Sequence, residues 1–262
     1  MTAANVEYGD RDIALHNEIL RSVVGSGVHG IAIEGTDDHD EMGVYIEPPK
    51  CVVGLAPAAE HYISRTQPEG VRSGPGDTDL VMYSLRKYLR LAVKGNPTAL
   101  LPLYAPSTAL LTVTNLGDEL RELAPAFPSR QAVERFLGYM HSQHERMLGG
   151  GKRNRVPNRP ELIERYGWDV KYGSHALRLA YQGRELAVEG QLTLPMRDNA
   201  RSLVLAVKGG HVDRETVSRW IGELEAEVRA ALADGRTPLP DRADLDRISA
   251  WAVSAQRRHW GW

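Results

Sequence analysis

The spacing of apolar residues along this chain changes at about residue 110. Before that point, short apolar runs alternate with segments rich in glycine and proline, which is typical of short strands joined by turns. Beyond Asn115, apolar residues recur three and four positions apart, as on one face of a helix. The pattern predicts an α+β protein with a small mixed β-sheet head, residues 1–110, followed by a mainly helical body, residues 111–262.

In the head, strands are expected where apolar runs meet turn residues. Ser22–Val24 runs directly into Gly25-Ser26, and Gly43–Ile46 ends at Pro48-Pro49, because proline cannot donate to a strand ladder. The further elements predicted for the head are a helix over Asp10–Leu20, an apolar strand over Cys51–Leu55, the end of a strand over Asp79–Met82 and a basic amphipathic helix over Ser84–Val93.

In the body, helical spacing predicts a series of helices. They are Leu116–Ala124, Ser129–Leu148, Glu161–Tyr166, Trp168–Val188, Asp213–Ala233 and Asp241–Trp260. A basic, glycine-rich segment, Gly149–Arg155, interrupts the series and is interpreted as a flexible connection that serves as a lid or a substrate loop.

The composition excludes few functions. Hydrophobic residues make up 42% of the chain and charged residues 25%, as in an ordinary globular protein. The formal net charge of -2 provides no overall basic field, so contact with nucleic acid would need a local basic patch. Cys51 is the single cysteine, which excludes an intramolecular disulfide and favours a reducing compartment. Since neither a signal-like start nor a membrane-spanning run is visible, we expect a cytoplasmic protein without a membrane partner.

Two features between residues 25 and 44 suit a nucleoside triphosphate and its metal ions. Gly25-Ser26 forms a turn after an apolar strand, where backbone N–H groups and a hydroxyl can meet phosphate oxygens. Asp38 and Asp40 are two positions apart, so on a strand both carboxylates point to one face and can share a divalent cation. Together, in this order, the two features indicate nucleotidyl transfer.

A solvated acidic turn is the alternative interpretation of the same aspartates. Asp37 and Glu41 belong to the same acidic cluster, which lies among turn-forming residues. Asp37 is adjacent to Asp38 and would face the opposite side of a strand, as would His39. The pair Asp38 and Asp40 therefore satisfies the geometry of a shared metal site best.

A basic stripe is predicted on one helix of the body. Lys171, His175 and Arg178 are four and three residues apart and share a helical face. This face is either solvated or, if it faces an acidic cleft that holds metal ions, suited to neutralise the charge of a triphosphate.

Other polar residues are weaker candidates for binding. Arg86 and Lys87 would act as the basic stripe does. Tyr139, Gln143 and Arg146 share a helical face and are candidates for contact with a base or an acceptor.

Three segments, in this order, resemble the DNA polymerase beta-like nucleotidyltransferase superfamily, and more narrowly its phage and bacterial branch associated with RNA ligases and RNA repair. The first segment reads Gly25-Ser26-Gly27-Val28-His29-Gly30, then Asp38-His39-Asp40 and Gly43-Val44-Tyr45. The second is Asp79-Leu80-Val81-Met82-Tyr83-Ser84-Leu85-Arg86-Lys87-Tyr88-Leu89, closing with Lys94-Gly95-Asn96-Pro97. The third runs from Tyr166-Gly167-Trp168-Asp169 through Lys171, His175 and Arg178 to Leu179.

The resemblance implies an enzyme that uses Mg²⁺ or Mn²⁺ and takes an NTP such as ATP as substrate. It implies that Asp38, Asp40 and Asp79 are catalytic residues and metal ligands. Asp79, at the family's third acidic position, begins an apolar run after a loop; a helix cap or loop aspartate is the alternative for it. The nucleotide would be bound by Gly25, Ser26, Lys171, His175 and Arg178.

One departure from the family is visible. Where relatives tend to carry an acidic residue after the Asn-Pro, this chain has Leu100-Leu101-Pro102-Leu103. We therefore expect no catalytic acid on that segment.

The acceptor of the nucleotide is the open point. The resemblance implies an RNA end, such as a tRNA 3′ end under repair, whereas a small molecule or a protein hydroxyl would fit the same active site. The rival interpretation from another class is a nucleotide-binding sensor or interaction module without catalysis. The intact trio of carboxylates argues against that rival, and release of pyrophosphate separates the two.

Overall fold

A six-stranded mixed β-sheet organises the first part of the chain. The computed structural model describes residues 6–33, 35, 37–71, 73–150 and 159–262. The strands are β1 (Val6–Tyr8), β2 (Glu18–Val23), β3 (His39–Tyr45), β4 (His61–Arg65), β5 (Thr78–Ser84) and β6 (Leu110–Val113). Their order is β1-β4-β5-β3-β2-β6, in which β3 and β5 run parallel and the other neighbouring pairs run antiparallel. The mixed sheet with helices predicted from the sequence is confirmed.

Helices account for most of the remaining described chain. They are α1 (Arg11–His16), α2 (Gly25–His29), α3 (Pro49–Val52), α4 (Leu85–Ala92), α5 (Leu101–Tyr104), α6 (Asn115–Glu122), α7 (Arg130–Met147), α8 (Pro160–Tyr166), α9 (Val170–Glu189), α10 (Asp198–Lys208), α11 (Arg214–Ala233) and α12 (Leu245–Trp260). Many begin at a side-chain oxygen that accepts an otherwise unpaired backbone N–H, as at Ser84, Thr114, Ser129, Asp169 and Asp213.

The chain forms two compact units, whose limits differ from the expected boundary at residue 110. The first unit is Met1–Phe127 together with Ala243–Trp262, and the second is Pro128–Arg242. Residues beyond 110 stay with the first unit because β6 pairs with β2 at the edge of the sheet. Helix α12 belongs to this unit as well, although the whole second unit lies between it and the sheet in sequence.

Contacts of α12 explain why the end of the chain belongs to the first unit. Trp251 Nε1 donates to Glu119 Oε2 at 2.9 Å, and the Arg258 guanidinium forms two hydrogen bonds to the same carboxylate. Trp260 Nε1 donates to the backbone oxygen of Glu47 at 2.9 Å, just beyond the end of β3. The tryptophan-rich C-terminus is therefore used for packing.

A hydrophobic cluster lies against one face of the sheet. Ala14 of α1 packs with Tyr45, Tyr62, Leu80 and Met82 from strands β3, β4 and β5. Leu80 and Met82 are two positions apart in β5, so they share one face of the sheet. On the opposite face, Asp40 and Asp79 are register partners near the N-terminal ends of β3 and β5, whereas Met42 and Val44 further along β3 are buried.

The second unit is built around α9. This helix packs against α7, α10 and α11 and is buried along most of its length. Gly173 permits close packing, since a Cβ atom there would lie 2.3 Å from the Trp168 ring. The mainly helical character expected after the sheet is confirmed for the described part of this unit.

The helix predicted over Asp10–Leu20 is wrong in its second half, because the chain there forms β2. Ile19 and Leu20 are both buried, since the register of β2 shifts between Glu18 and Leu20. The bulge removes the alternation of apolar and polar positions that identifies a strand in a sequence.

The apolar strand predicted over Cys51–Leu55 is also wrong. Cys51 lies in α3, which begins at Pro49, a residue whose fixed φ favours the first turn of a helix. The sequence analysis further missed β1, β4, β6 and α10.

Among the described residues, none of the helices combines the length and the apolar character that crossing a bilayer requires.

Candidate active site

Three carboxylates converge at one end of the parallel strand pair. Asp40 of β3 and Asp79 of β5 are register partners near the N-terminal ends of their strands, and Asp38 directly precedes β3. Because in-register residues of a parallel pair point to the same face, the two side chains lie side by side. One oxygen of each aspartate lies within 4.8 Å of the others, and all three residues are half-buried. The structure thus brings together the three aspartates that the sequence singled out.

The neighbouring acidic and histidine side chains do not join this group. Asp37 Oδ2 accepts the backbone N–H of Ile33 at 2.6 Å and so stabilises the turn before β3. His39 Nε2 lies 3.1 Å from Glu41 Oε1, on the face of β3 opposite Asp40. These contacts agree with the alternation expected for the strand.

The glycine-serine turn touches the carboxylates directly. Gly25 has a φ of 61°, in the left-handed region. A Cβ atom at Gly25 would lie 2.0 Å from Asp40 Oδ2, so the backbone of the turn packs against this carboxylate. Ser26 follows at the start of α2 and is half-buried. The turn and the carboxylates therefore form one site within the first unit.

Asp79 has protein donors on both oxygens. Gln67 Nε2 donates to Oδ1 at 2.8 Å, Ser73 Oγ donates to Oδ2 at 2.7 Å, and Arg65 Nε lies 3.8 Å from Oδ1. Sequence analysis missed Gln67 and Ser73 because the loop between β4 and β5 shows no motif. Arg65 and Asp79 lie directly opposite each other on the antiparallel strands β4 and β5, and this register explains why their side chains are close.

Arg86 and Lys87 are not brought to the carboxylates. They lie in α4, which follows the C-terminal end of β5, whereas Asp79 is near its N-terminal end. Lys87 Nζ instead pairs with Glu60 Oε2 at 3.2 Å. The interpretation of these two residues as triphosphate ligands has no support in this arrangement.

In the second unit, Lys171, His175 and Arg178 lie on α9 as the spacing predicts. Burial, and then the positive charges of Arg178, Lys171, Arg159 and Lys208, hold the pKa of His175 well below its usual value of 6.5. The imidazole is therefore neutral at physiological pH and sits among cations.

Burial also lowers the pKa of Arg178 to about 10, which still leaves its guanidinium charged. Arg178 Nη1 donates to Gln182 Oε1 at 2.9 Å. Arg159 and Lys208 were not found by sequence analysis, because α8 and α10 reach α9 only through tertiary packing.

Arg146 lies against α9. Its guanidinium is 6.0 Å from the centre of the Tyr172 ring, and that of Arg159 is 5.2 Å from the same ring. Arg159 Nη1 also lies 3.4 Å from Asp169 Oδ2. Tyr139, grouped with Arg146 by helical spacing, is 40% exposed. Most of the predicted substrate loop Gly149–Arg155 falls outside the described residues.

A mixed sheet that carries three convergent carboxylates beside a glycine-serine turn is the arrangement of a polymerase beta-like nucleotidyltransferase. A sequence model of RlaP, the RNA repair pathway DNA polymerase beta family, matches residues 12–249. The chain belongs to this family, and the family and enzyme class expected from the motifs are confirmed.

Other comparisons add little. The solved structure of a nucleotidyltransferase-like protein from Exiguobacterium sibiricum 255-15 is 10% identical, and its alignment covers 93% of this chain and 72% of that chain. Its TM-score is 0.32, and at that value the similarity identifies no function for this chain. No curated protein matches the chain.

Proposed function

We propose that the protein transfers a nucleoside monophosphate from an NTP to an acceptor hydroxyl and releases pyrophosphate, with Mg²⁺ or Mn²⁺ as cofactor. The observation that carries the proposal is the convergence of Asp38, Asp40 and Asp79 beside Gly25. Such a set of carboxylates next to a phosphate-binding turn suits phosphoryl-group chemistry, in which positioning and charge stabilisation do most of the work.

The donor set fits a hard divalent cation. Carboxylate oxygens are the ligands that Mg²⁺ and Mn²⁺ prefer, and the three ligand atoms are close enough to share one ion. Asp38, Asp40 and Asp79 would hold the metal. When bound, a divalent ion at this place neutralises negative charge on the triphosphate and lowers the pKa of the acceptor hydroxyl.

The first unit would bind the phosphates through Gly25 and Ser26. The backbone N–H groups of the turn at Gly25 are proposed to meet phosphate oxygens, and the half-buried Ser26 offers a hydroxyl donor. Asp79 would orient the acceptor hydroxyl for in-line attack on the α-phosphorus, with pyrophosphate as the leaving group.

In the second unit, Lys171, His175 and Arg178 are proposed to bind phosphate. Lys171 and Arg178 would supply positive charge, while the neutral His175 would supply one hydrogen bond. Arg159 adds a further cation beside the same histidine. This concentration of half-buried positive groups is what supports an anion-binding role.

An RNA end is the proposed acceptor, with a tRNA 3′ end as a specific candidate. The membership in an RNA repair family supports this choice. The net charge of -2 means that RNA would be held by a local surface, such as the basic cluster of the second unit. A small-molecule or protein acceptor is the outcome to be tested against it.

The proposal is tested by incubating the protein with Mg²⁺, one α-labelled NTP at a time and one acceptor at a time. The acceptors are total tRNA, short RNA oligonucleotides and the protein itself. We expect transfer of label to RNA, release of pyrophosphate, and neither with the variant Asp38→Ala/Asp40→Ala. Transfer of label to another acceptor would refute only the proposal that an RNA end is the acceptor. Binding of NTP without pyrophosphate release under any condition would favour a nucleotide sensor.

A further inference from the structure

Two side chains of one loop hold the Asp79 carboxylate. Gln67 Nε2 reaches Oδ1 at 2.8 Å and Ser73 Oγ reaches Oδ2 at 2.7 Å, so each carboxylate oxygen receives a hydrogen bond. Gln67 and Ser73 come from the loop between β4 and β5 and lie twelve and six positions from Asp79 in sequence. Their contacts with Asp79 are therefore a product of the folded loop.

The hydrogen bonds of Gln67 direct its side-chain amide towards Asp79. Gln67 is 6% exposed, and its Nε2 also donates to Ser73 Oγ at 2.6 Å, so both amide hydrogens are committed. Among the described residues, its Oε1 is buried without a hydrogen-bond partner. A buried polar atom without a partner is unfavourable for folding, so the arrangement is not explained by stability.

These donors leave room for a cation. A carboxylate has about four lone-pair positions, and the hydrogen bonds that the described residues donate, one to each oxygen, leave positions for a metal ion. The ligand oxygens of Asp38, Asp40 and Asp79 lie within 4.8 Å of one another, and without a cation their charges repel. Hydrogen bonds from Gln67 and Ser73 oppose a rotation of the Asp79 carboxylate away from the other two.

We propose that Gln67 and Ser73 are positioning residues, which orient Asp79 and thereby raise the affinity of the three-carboxylate site for a divalent cation. The inference rests on the proposed function, since that function makes the carboxylates the metal site. Partners of a ligating carboxylate typically change metal affinity by about ten- to a hundred-fold when they are removed.

The inference is tested by measuring how tightly the full chain binds Mn²⁺, without any acceptor or nucleotide. The decrease in the electron paramagnetic resonance signal of free Mn²⁺ reports the binding. The test variants are Gln67→Met, which keeps the shape but removes the amide, and Ser73→Ala. Asp79→Asn removes a proposed metal ligand and shows how much the loss of one ligand weakens binding. Ser73→Thr keeps the hydroxyl, and Ser64→Ala changes a serine of β4 on the opposite face of the sheet from Asp79.

We expect Gln67→Met and Ser73→Ala each to weaken Mn²⁺ binding about tenfold or more, and Asp79→Asn at least as much. Ser73→Thr and Ser64→Ala should bind as the wild type does. Metal-free circular dichroism and melting curves identify any variant that fails to fold, and the two test variants give independent readings.

Two negative results are distinguishable. If Gln67→Met and Ser73→Ala bind Mn²⁺ within about twofold of the wild type while Asp79→Asn does not, the positioning role is overturned and the proposed function stands. If the wild type and Asp79→Asn bind Mn²⁺ equally, Asp79 is not a metal ligand, and both the inference and the proposed role of Asp79 in metal binding are overturned.

Discussion

The Asp40 carboxylate occupies the space that a side chain at Gly25 would need. A Cβ atom at Gly25 would lie 2.0 Å from Asp40 Oδ2, and the Val24 backbone N–H donates to the Asp40 backbone oxygen at 2.8 Å. The proposed phosphate-binding turn and one proposed metal ligand are therefore fixed to each other. A change at Gly25 must move either the turn or the carboxylate.

Gly25→Ala should reduce nucleotidyl transfer by about a hundredfold, because a displacement of about 1 Å in a positioned site has an effect of this size. The new side chain also destabilises the left-handed backbone conformation at this position by about 1 kcal/mol. Gly235→Ala is the matched control, since Gly235 has a φ of 66° and open space around its Cβ position. Equal activity losses in the two variants would contradict a specific role for the contact with Asp40.

Asp40→Asn should abolish transfer and leave the metal-free protein at least as stable as the wild type. The substitution removes one of three negative charges whose ligand oxygens lie within 4.8 Å, so it relieves repulsion. Transfer of labelled nucleotide and the metal-free melting temperature are the two measurements. Asp118→Asn, at an exposed position of α6, is the control and should change neither. A large fall in melting temperature for Asp40→Asn would indicate a structural role instead.

His175 makes the protein less stable in acid. Its pKa in the folded protein is well below 6.5, because burial and neighbouring cations disfavour the imidazolium. The unfolded chain therefore binds a proton that the folded chain does not. Because of this residue, the free energy of unfolding falls by up to about 1.4 kcal/mol per pH unit as the pH drops below the ordinary pKa of histidine.

His175→Gln removes this contribution. We expect the variant to lose less stability than the wild type between about pH 7.5 and about pH 5, whatever its stability at the higher pH. Urea unfolding at the two pH values measures the difference. His211→Gln, at an exposed position of the same unit, serves as the control. An unchanged pH dependence in His175→Gln would show that the histidine is not held neutral.

Glu119 should stabilise α12 above acidic pH. The hydrogen bonds from Arg258 lower the pKa of Glu119 from 4.5 to about 2, with a further contribution from Trp251. A lowered carboxyl pKa gives stability that is present above 4.5 and lost as the pH falls towards 2. Because the pair is partly exposed, its contribution is less than about 1 kcal/mol.

Glu119→Gln should therefore lower the melting temperature at neutral pH by a few degrees, and the difference should shrink below pH 4.5. Differential scanning calorimetry at neutral pH and at about pH 3.5 measures this. Glu122→Gln, at an exposed position of the same helix, is the control. A difference that grows in acid would contradict the assignment.

The local part of the site could be predicted from the sequence. Asp38 and Asp40 share a face because strand side chains alternate, and Gly25-Ser26 follows an apolar run that needs a turn. Both features depend on residues close in sequence, where period and conformational preference act directly. The same reasoning placed Lys171, His175 and Arg178 on one helix. It predicted only the end of β2 as a strand and extended a helix into its beginning, where a register shift hides the alternation.

Long-range contacts were decided by the tertiary structure. The parallel pairing of β3 with β5 sets Asp79 beside Asp40, and the folded loop brings Gln67 and Ser73 to its carboxylate. No periodicity in a sequence specifies which strands become neighbours or in which register, because that choice depends on the combined burial of all the strands and helices. The sequence by itself therefore determined the chemical groups and their local faces, and the packing of distant segments determined which of those groups meet.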